Sequence, residues 1–154
     1  MKIKIGINGM GRIGRMILRS IFEGNKDIEI KHINNRTNSE TCSTLLKYDS
    51  IHGKFKADIS YDEKNLIVNK NKISFGQETD LNKIDWKKYG VDYVFECTGK
   101  FNSKDKLGPH LNNGAKKVIV SAPCKNADKT IVFGVNESEL NKDCLLYTSP
   151  SPRD

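Results

Sequence analysis

Gly9, Gly11 and Gly14 stand at the spacing G-x-G-x-x-G, where an apolar alternating stretch gives way to an amphipathic one. Glycines so placed can cradle a diphosphate. Gly9 makes a turn that a β-carbon would obstruct. Gly11 lets backbone amides approach an anion, and Gly14 lets a helix pack close to the strand before it. A helix starting here adds unpaired N–H donors and a partial positive charge. Arg12 and Arg15 fall in its first turn, where cations oppose the helix dipole unless an anionic ligand sits nearby. A bare glycine turn with solvated arginines is the plainer alternative. The strand before and the amphipathic helix after favour the phosphate site.

A dinucleotide site also needs a group for the adenosine ribose, about 20 residues on. The chain there reads Asn34-Asn35-Arg36. It lacks the carboxylate that would accept ribose hydroxyls and repel a 2′-phosphate. An amide still hydrogen-bonds a hydroxyl, and an arginine suits a 2′-phosphate. The expected cofactor is therefore NAD or NADP.

The other reactive side chains carry less. Cys42, Cys97, Cys124 and Cys144 form no C-x-x-C pair and fit no zinc spacing, so no metal is expected and the thiols read as free, in a reducing cytosol. Cys97 and Cys124 read as small packed side chains. Cys144 has neither a helix start nor a cationic partner in view, so it is not read as a nucleophile. His32 reads as a half-buried strand residue, His52 as a loop residue, His110 as a surface residue and Trp86 as a core anchor.

The elements that must hold these residues follow from periodicity. Lys2 to Asn8 predicts a strand. Arg12 to Glu23 predicts a helix, because Ile13, Ile17, Leu18, Ile21 and Phe22 share one face. Asp27 to Ile33 predicts a second strand, which completes a βαβ unit and implies a parallel sheet. Further on come a helix over Ser39 to Lys47 and a small antiparallel excursion over Phe55 to Phe75. Next are a strand over Val91 to Cys97, a helix over Lys104 to Asn112 flawed by Gly108-Pro109, and strands over Lys117 to Val120 and Thr130 to Val135. The fold class is α/β: a doubly wound, mostly parallel, Rossmann-type sheet with a small antiparallel insertion.

Composition sets the bounds. The chain has 154 residues, 36% apolar and 29% charged, with a net charge of +7 and a mean hydropathy of −0.58. No window approaches the ~18 apolar residues of a membrane span, so no membrane partner is expected. Lys2-Ile3-Lys4-Ile5 alternates, unlike a secretory leader. The lysines are scattered, with no basic run interleaved by aromatics, so nucleic acid is not expected as a partner.

Five segments carry a resemblance. Ile7-Asn8-Gly9-Met10-Gly11-Arg12-Ile13-Gly14-Arg15 resembles the opening fingerprint of the phosphorylating glyceraldehyde-3-phosphate dehydrogenases. Lys47-Tyr48-Asp49-Ser50-Ile51-His52-Gly53, Phe95-Glu96-Cys97-Thr98-Gly99-Lys100-Phe101, Ser121-Ala122-Pro123 and Val132-Phe133-Gly134-Val135-Asn136 are similar to further elements of that family, in the same order. The resemblance implies a cytoplasmic homotetramer that oxidises and phosphorylates glyceraldehyde 3-phosphate, with hydride passing to NAD(P). It implies that Arg12 and Ile13 contact the pyrophosphate and that Thr98, Gly99 and Ser121 line the nicotinamide half. Asn35 stands where the family usually has its ribose-binding aspartate. An erythrose-4-phosphate dehydrogenase shares the fingerprint, and a non-catalytic nucleotide or RNA-binding module is the alternative from another class.

The likeness runs over residues 1–143, expected to be one dinucleotide-binding domain. In the family a short helix, a strand and an S-C-T-T-N-C nucleophile segment follow. That segment is not found here, so no catalytic residue is assigned, the catalytic domain is expected to be absent, and cofactor binding without turnover is expected. Residues 144–154 have no period, end in Ser-Pro-Ser-Pro and resemble one reading frame of a sequencing adaptor. They are expected to be a non-native, disordered tail.

Overall fold

The computed structural model describes residues 2–24 and 27–148. Eleven strands and three α-helices are seen among them: β1 (Ile3–Asn8), α1 (Arg12–Gly24), β2 (Ile28–Asn34), α2 (Ser39–Lys47), β3 (Tyr48–Asp49), β4 (Gly53–Lys54), β5 (Ile59–Asp62), β6 (Asn65–Val68), β7 (Asn71–Gly76), β8 (Tyr93–Glu96), α3 (Lys104–Asn112), β9 (Lys117–Val120), β10 (Lys129–Thr130) and β11 (Leu146–Thr148). Nine strands form one sheet in the order β10-β11-β9-β8-β1-β2-β7-β6-β5, and β3 pairs with β4 alone. The centre is parallel: β1 lies between β2 and β8, with Ile7 opposite both Ile33 and Phe95. After β1 the chain first builds outward through β2 and β7. It then crosses to the other side of β1 for β8 and β9. That reversal is the topological switch point at which such sheets bind ligands.

The helices form where sequence periodicity places them. On α1, Leu18 is fully buried and Ile17, Ile21 and Phe22 pack on the same core as Ile5, Ile7 and Ile33. Asn38 caps α2 by accepting the Thr41 N–H at 2.9 Å. A feature hidden from periodicity is Arg19, buried on the apolar side of α1. Its guanidinium donates to the Leu46 carbonyl (2.6 and 3.0 Å) and the Gly53 carbonyl (3.1 Å), and lies 5.1 Å over the Phe55 ring. It thus ties α1 to the C-terminal end of α2, where free carbonyls favour a cation.

The Phe55 to Phe75 excursion is antiparallel, as expected, and is continuous with the main sheet. β5, β6 and β7 pair antiparallel, but β7 joins β2 in parallel, Phe75 beside Ile33, and extends the sheet. The Thr130 to Val135 strand shrinks to Lys129–Thr130. Asn136 accepts the Val132 N–H at 2.7 Å and donates to the Thr130 carbonyl at 3.0 Å. Gly134 then turns at φ +80, which leaves Phe133 94% exposed. Of the tail expected to be disordered, Leu146–Thr148 is a buried strand between β9 and β10. Leu146 completes a core with Leu107, Val118 and Val120, and the Asp128 carboxylate accepts the Leu145 and Leu146 N–H groups at 2.9 and 3.0 Å. A three-residue strand buried on both faces shows no alternation to read. Residues 149–154 lie outside the described residues.

His110, expected at the surface, is fully buried on α3, and His32 is buried rather than half-buried. Trp86 is a core anchor as expected. Its ring lies so close over β1 that a β-carbon on Gly6 would stand 2.4 Å from it. His32 meets the Trp86 edge at 5.6 Å and stacks on Tyr89 at 3.8 Å.

Two outcomes follow from this core. Gly6→Ala should lower stability by about 1–3 kcal/mol through overpacking against Trp86, read as a shifted urea midpoint with an unchanged slope. Burial, helped by Lys88, pushes His32 down from 6.5 to about 4. The unfolded chain therefore binds the extra proton first on acidification. His32 should contribute its full stability above pH 6.5 and lose it as pH falls towards 4, by up to about 3 kcal/mol. Urea titrations between pH 4 and 7 check this, and His32→Gln should flatten the slope.

Candidate functional site

The switch point opens into a cleft of about 410 Å³ at the carboxyl ends of β1, β2 and β8. Its floor is Asn8, Gly9 and Gly11. Asn34–Thr37 after β2, with Glu78 and Thr79 after β7, form one wall, and Cys97, Thr98, Lys100 and Phe101 after β8 form the other.

The glycine turn is built as its spacing requires. Gly9 adopts φ +97, and a β-carbon there would stand 2.8 Å from the Thr98 nitrogen. A β-carbon on Gly14 would stand 2.1 Å from the Gly9 carbonyl oxygen, so α1 can approach β1 only with glycine at that position. A β-carbon on Gly11 would meet no protein atom within 4 Å, so the space beside this backbone is open to a ligand. The first turn of α1 follows directly, with its N–H groups unpaired inside the helix. Arg12 is exposed there. Arg15 instead turns back and donates to the Met10 carbonyl at 3.1 Å, while its Nε is buried without a partner.

The two asparagines at the end of β2 do a different job from the one their position suggests. Asn35 accepts the Met10 N–H at 3.0 Å and donates to Thr37 Oγ1 (2.6 Å) and Cys42 Sγ (3.1 Å). Asn34 donates to Asn8 Oδ1 (2.8 Å) and the Glu78 carbonyl (2.9 Å), and accepts the Glu78 N–H (2.9 Å). Both amide N–H pairs are thus spent on the protein. At this wall the second lone pair of Asn35 Oδ1, the side chains of Glu78 and Thr79 and the exposed Arg36 at the rim face a ligand, while the Thr37 hydroxyl also meets Cys42 Sγ at 3.5 Å.

On the opposite wall, Glu96 is buried and accepts four hydrogen bonds: from Asn8 Nδ2 (2.7 Å), His110 Nε2 (2.8 Å), and the N–H (2.9 Å) and hydroxyl of Thr98. Ser121 is turned to the Glu96 carbonyl, donating its N–H at 3.0 Å and its hydroxyl at 3.2 Å. Gly99 follows Thr98 at φ +71.

The structure therefore brings Gly9, Gly11, Asn34, Asn35, Arg36 and Thr98 to one cleft, with Arg12, Ile13 and Gly14 beyond its floor at the start of α1. Gly99 and Ser121 adjoin it without lining it. Sequence reasoning missed Asn8, Thr37, Glu78, Thr79, Leu81, Cys97, Lys100 and Phe101. Asn8, Cys97, Lys100 and Phe101 lie within segments that carry the family resemblance; Glu78 and Thr79 arrive through the β7 pairing.

The cysteines are free thiols. Burial pushes Cys97 up to about 12 and also raises Cys42. No group of three or more potential metal ligands occurs among the described residues, and none of their helices is long and apolar enough to cross a membrane.

Residues 3–104 match the family model described as the glyceraldehyde 3-phosphate dehydrogenase NAD binding domain. The chain is 47% identical over 149 residues to the glyceraldehyde-3-phosphate dehydrogenase of Thermotoga maritima, covering 96% of this chain and 45% of that one. It is 47% identical over 141 residues to the enzyme of Geobacillus stearothermophilus, covering 92% and 42%. Against the chromosomal enzyme of Cupriavidus necator it is 48% identical over 154 residues, covering 98% and 46%. The chain spans less than half the length of these curated relatives.

A thiol held this high should resist alkylation. Iodoacetamide at pH 8, followed by peptide mapping, should label Cys97 at least about tenfold more slowly in the folded chain than in urea. Equal rates would contradict the burial described here.

Proposed function

The chain belongs to the glyceraldehyde-3-phosphate dehydrogenase family and carries its NAD-binding domain, and from that premise we propose that the switch-point cleft holds a nicotinamide dinucleotide with its pyrophosphate over the glycine turn. One observation carries this reading: the open backbone at Gly11, beside the first turn of α1. Helix-start amides and the nearby Arg12 meet a doubly charged group there. The adenosine ribose then lies along Asn35–Thr37 and the nicotinamide half along Thr98 and Gly99. When bound, the dinucleotide accepts the hydride of an aldehyde oxidation. The chain's own residues bind and orient it.

Cofactor choice belongs to the Asn35 wall. Its turn carries no carboxylate, the Asn35 amide is directed inward, and Arg36 is exposed beside it. We propose that a 2′-phosphate is accepted, so that NADP binds as well as NAD.

The whole protein is proposed to oxidise and phosphorylate glyceraldehyde 3-phosphate as a cytoplasmic homotetramer. This chain is proposed to bind cofactor without turnover. Its residues match no nucleophile segment, and Cys97, the cysteine that lines the cleft, is a high-pKa thiol unsuited to attack.

Calorimetric titration with NAD and NADP tests the cleft. Both should bind, and Arg36→Ala should weaken NADP about tenfold while leaving NAD within about twofold. Well-folded protein that binds neither would overturn the reading, and NAD binding without NADP would overturn the ribose proposal.

A further inference from the structure

Beneath the cleft lies a buried polar chain that cofactor contacts alone do not require. Trp86 Nε1–H donates to His110 Nδ1 at 2.9 Å. An indole nitrogen only donates, so His110 Nδ1 accepts and its proton sits on Nε2. That N–H faces Glu96 Oε2 at 2.8 Å, and Asn8 Nδ2 donates to the same oxygen at 2.7 Å. The direction of Asn8 is then set, with its oxygen facing Asn34 Nδ2 at 2.8 Å. Asn34 in turn grips the Glu78 backbone through both its oxygen and its other N–H, each at 2.9 Å. On the other side, Glu96 Oε1 receives the Thr98 N–H and hydroxyl. Asn8, Asn34, Glu96 and His110 are all buried. From Trp86, Asn8 and Thr98 alike, donors point towards one carboxylate, and reversing a link would set like groups face to face.

We propose that Glu96 is the positioning residue of the cleft: its carboxylate fixes the direction of one hydrogen-bond chain that sets the Glu78 wall and the Thr98 wall relative to each other. The proposal rests on the nucleotide reading of the cleft for its functional meaning, but the hydrogen-bond chain is made by the protein's own residues. The adenosine end meets the Glu78 wall and the nicotinamide end meets Thr98, so both halves of the dinucleotide depend on a group that neither touches. A carboxylate is required. Glutamine has the same shape, but its NH2 would face either Thr98 or the donors of Asn8 and His110, which leaves buried donors unpaired.

The test compares wild type with Glu96→Gln by amide NMR titration with NAD and with AMP, a probe that reaches the Glu78 wall only. Glu96→Gln should bind both about tenfold more weakly. Val94→Ala, which loosens the same strand in the Trp86 core but removes no hydrogen-bonding group of the chain, should keep AMP affinity within about twofold despite lower stability. AMP affinity unchanged in Glu96→Gln, or lowered equally in Val94→Ala, overturns the proposal. A wild type that binds neither nucleotide sinks the cofactor reading instead. The unliganded spectra then decide: Glu96→Gln should move the Glu78 amide as well as that of Thr98, and an unmoved Glu78 overturns the chain. If Glu96→Gln does not fold, the wild-type imidazole nitrogen spectrum remains. His110 should show the neutral Nε2-protonated tautomer, and a proton on Nδ1 breaks the direction and overturns the proposal.

Discussion

Burying a carboxylate costs several kcal/mol unless donors surround it. Glu96 meets that condition with four, drawn from β1, α3 and the turn after β8. The donors come from three separate parts of the chain, so the charge is satisfied only when those parts are in place together. The requirement reaches further still. Trp86 holds the His110 tautomer, and its ring fills the space over β1 that only glycine at position 6 leaves open. Core packing and polar direction are therefore solved by the same residues.

The cleft is a consequence of two close approaches. α1 comes within reach of the β1 turn because Gly14 carries no side chain, and the turn comes within reach of the β8 loop because Gly9 carries none. These contacts place the start of a helix and two loops around one space at the switch point of the sheet. The asparagines at the end of β2 hold that arrangement from the other side: Asn35 fastens the Met10 amide and Asn34 fastens Asn8 and Glu78. A position that reads as a ligand contact is spent largely on the frame around the ligand. At the rim, Arg36 is left exposed, and the proposed cofactor choice rests on it.

Tertiary contacts also supply order where local sequence offers none. Arg19 is buried because the carbonyls at the end of α2 and at Gly53 receive it. Leu146–Thr148 is a strand because β9 and β10 leave a gap between them and Asp128 takes the incoming amides. α3 includes Pro109 in its span, with Leu107 and His110 both buried beneath it.

The parallel α/β layout and the glycine turn with its helix were legible along the chain, because they rest on short-range periodicity and on glycine spacing within one local stretch, and the family was legible in five ordered motifs. The spacing after the glycine turn pointed to Gly9, Gly11, Asn34, Asn35 and Arg36 as one site, and the family resemblance alone added Thr98. The sequence could not show that β7 joins β2, that His110 lies inside, or that Glu78 and Lys100 line the cleft. Those facts are pairings between segments far apart in the chain. Only the tertiary structure decided where buried donors find acceptors, since a hydrogen bond across the fold is set by distance and direction in space and leaves no pattern along the chain.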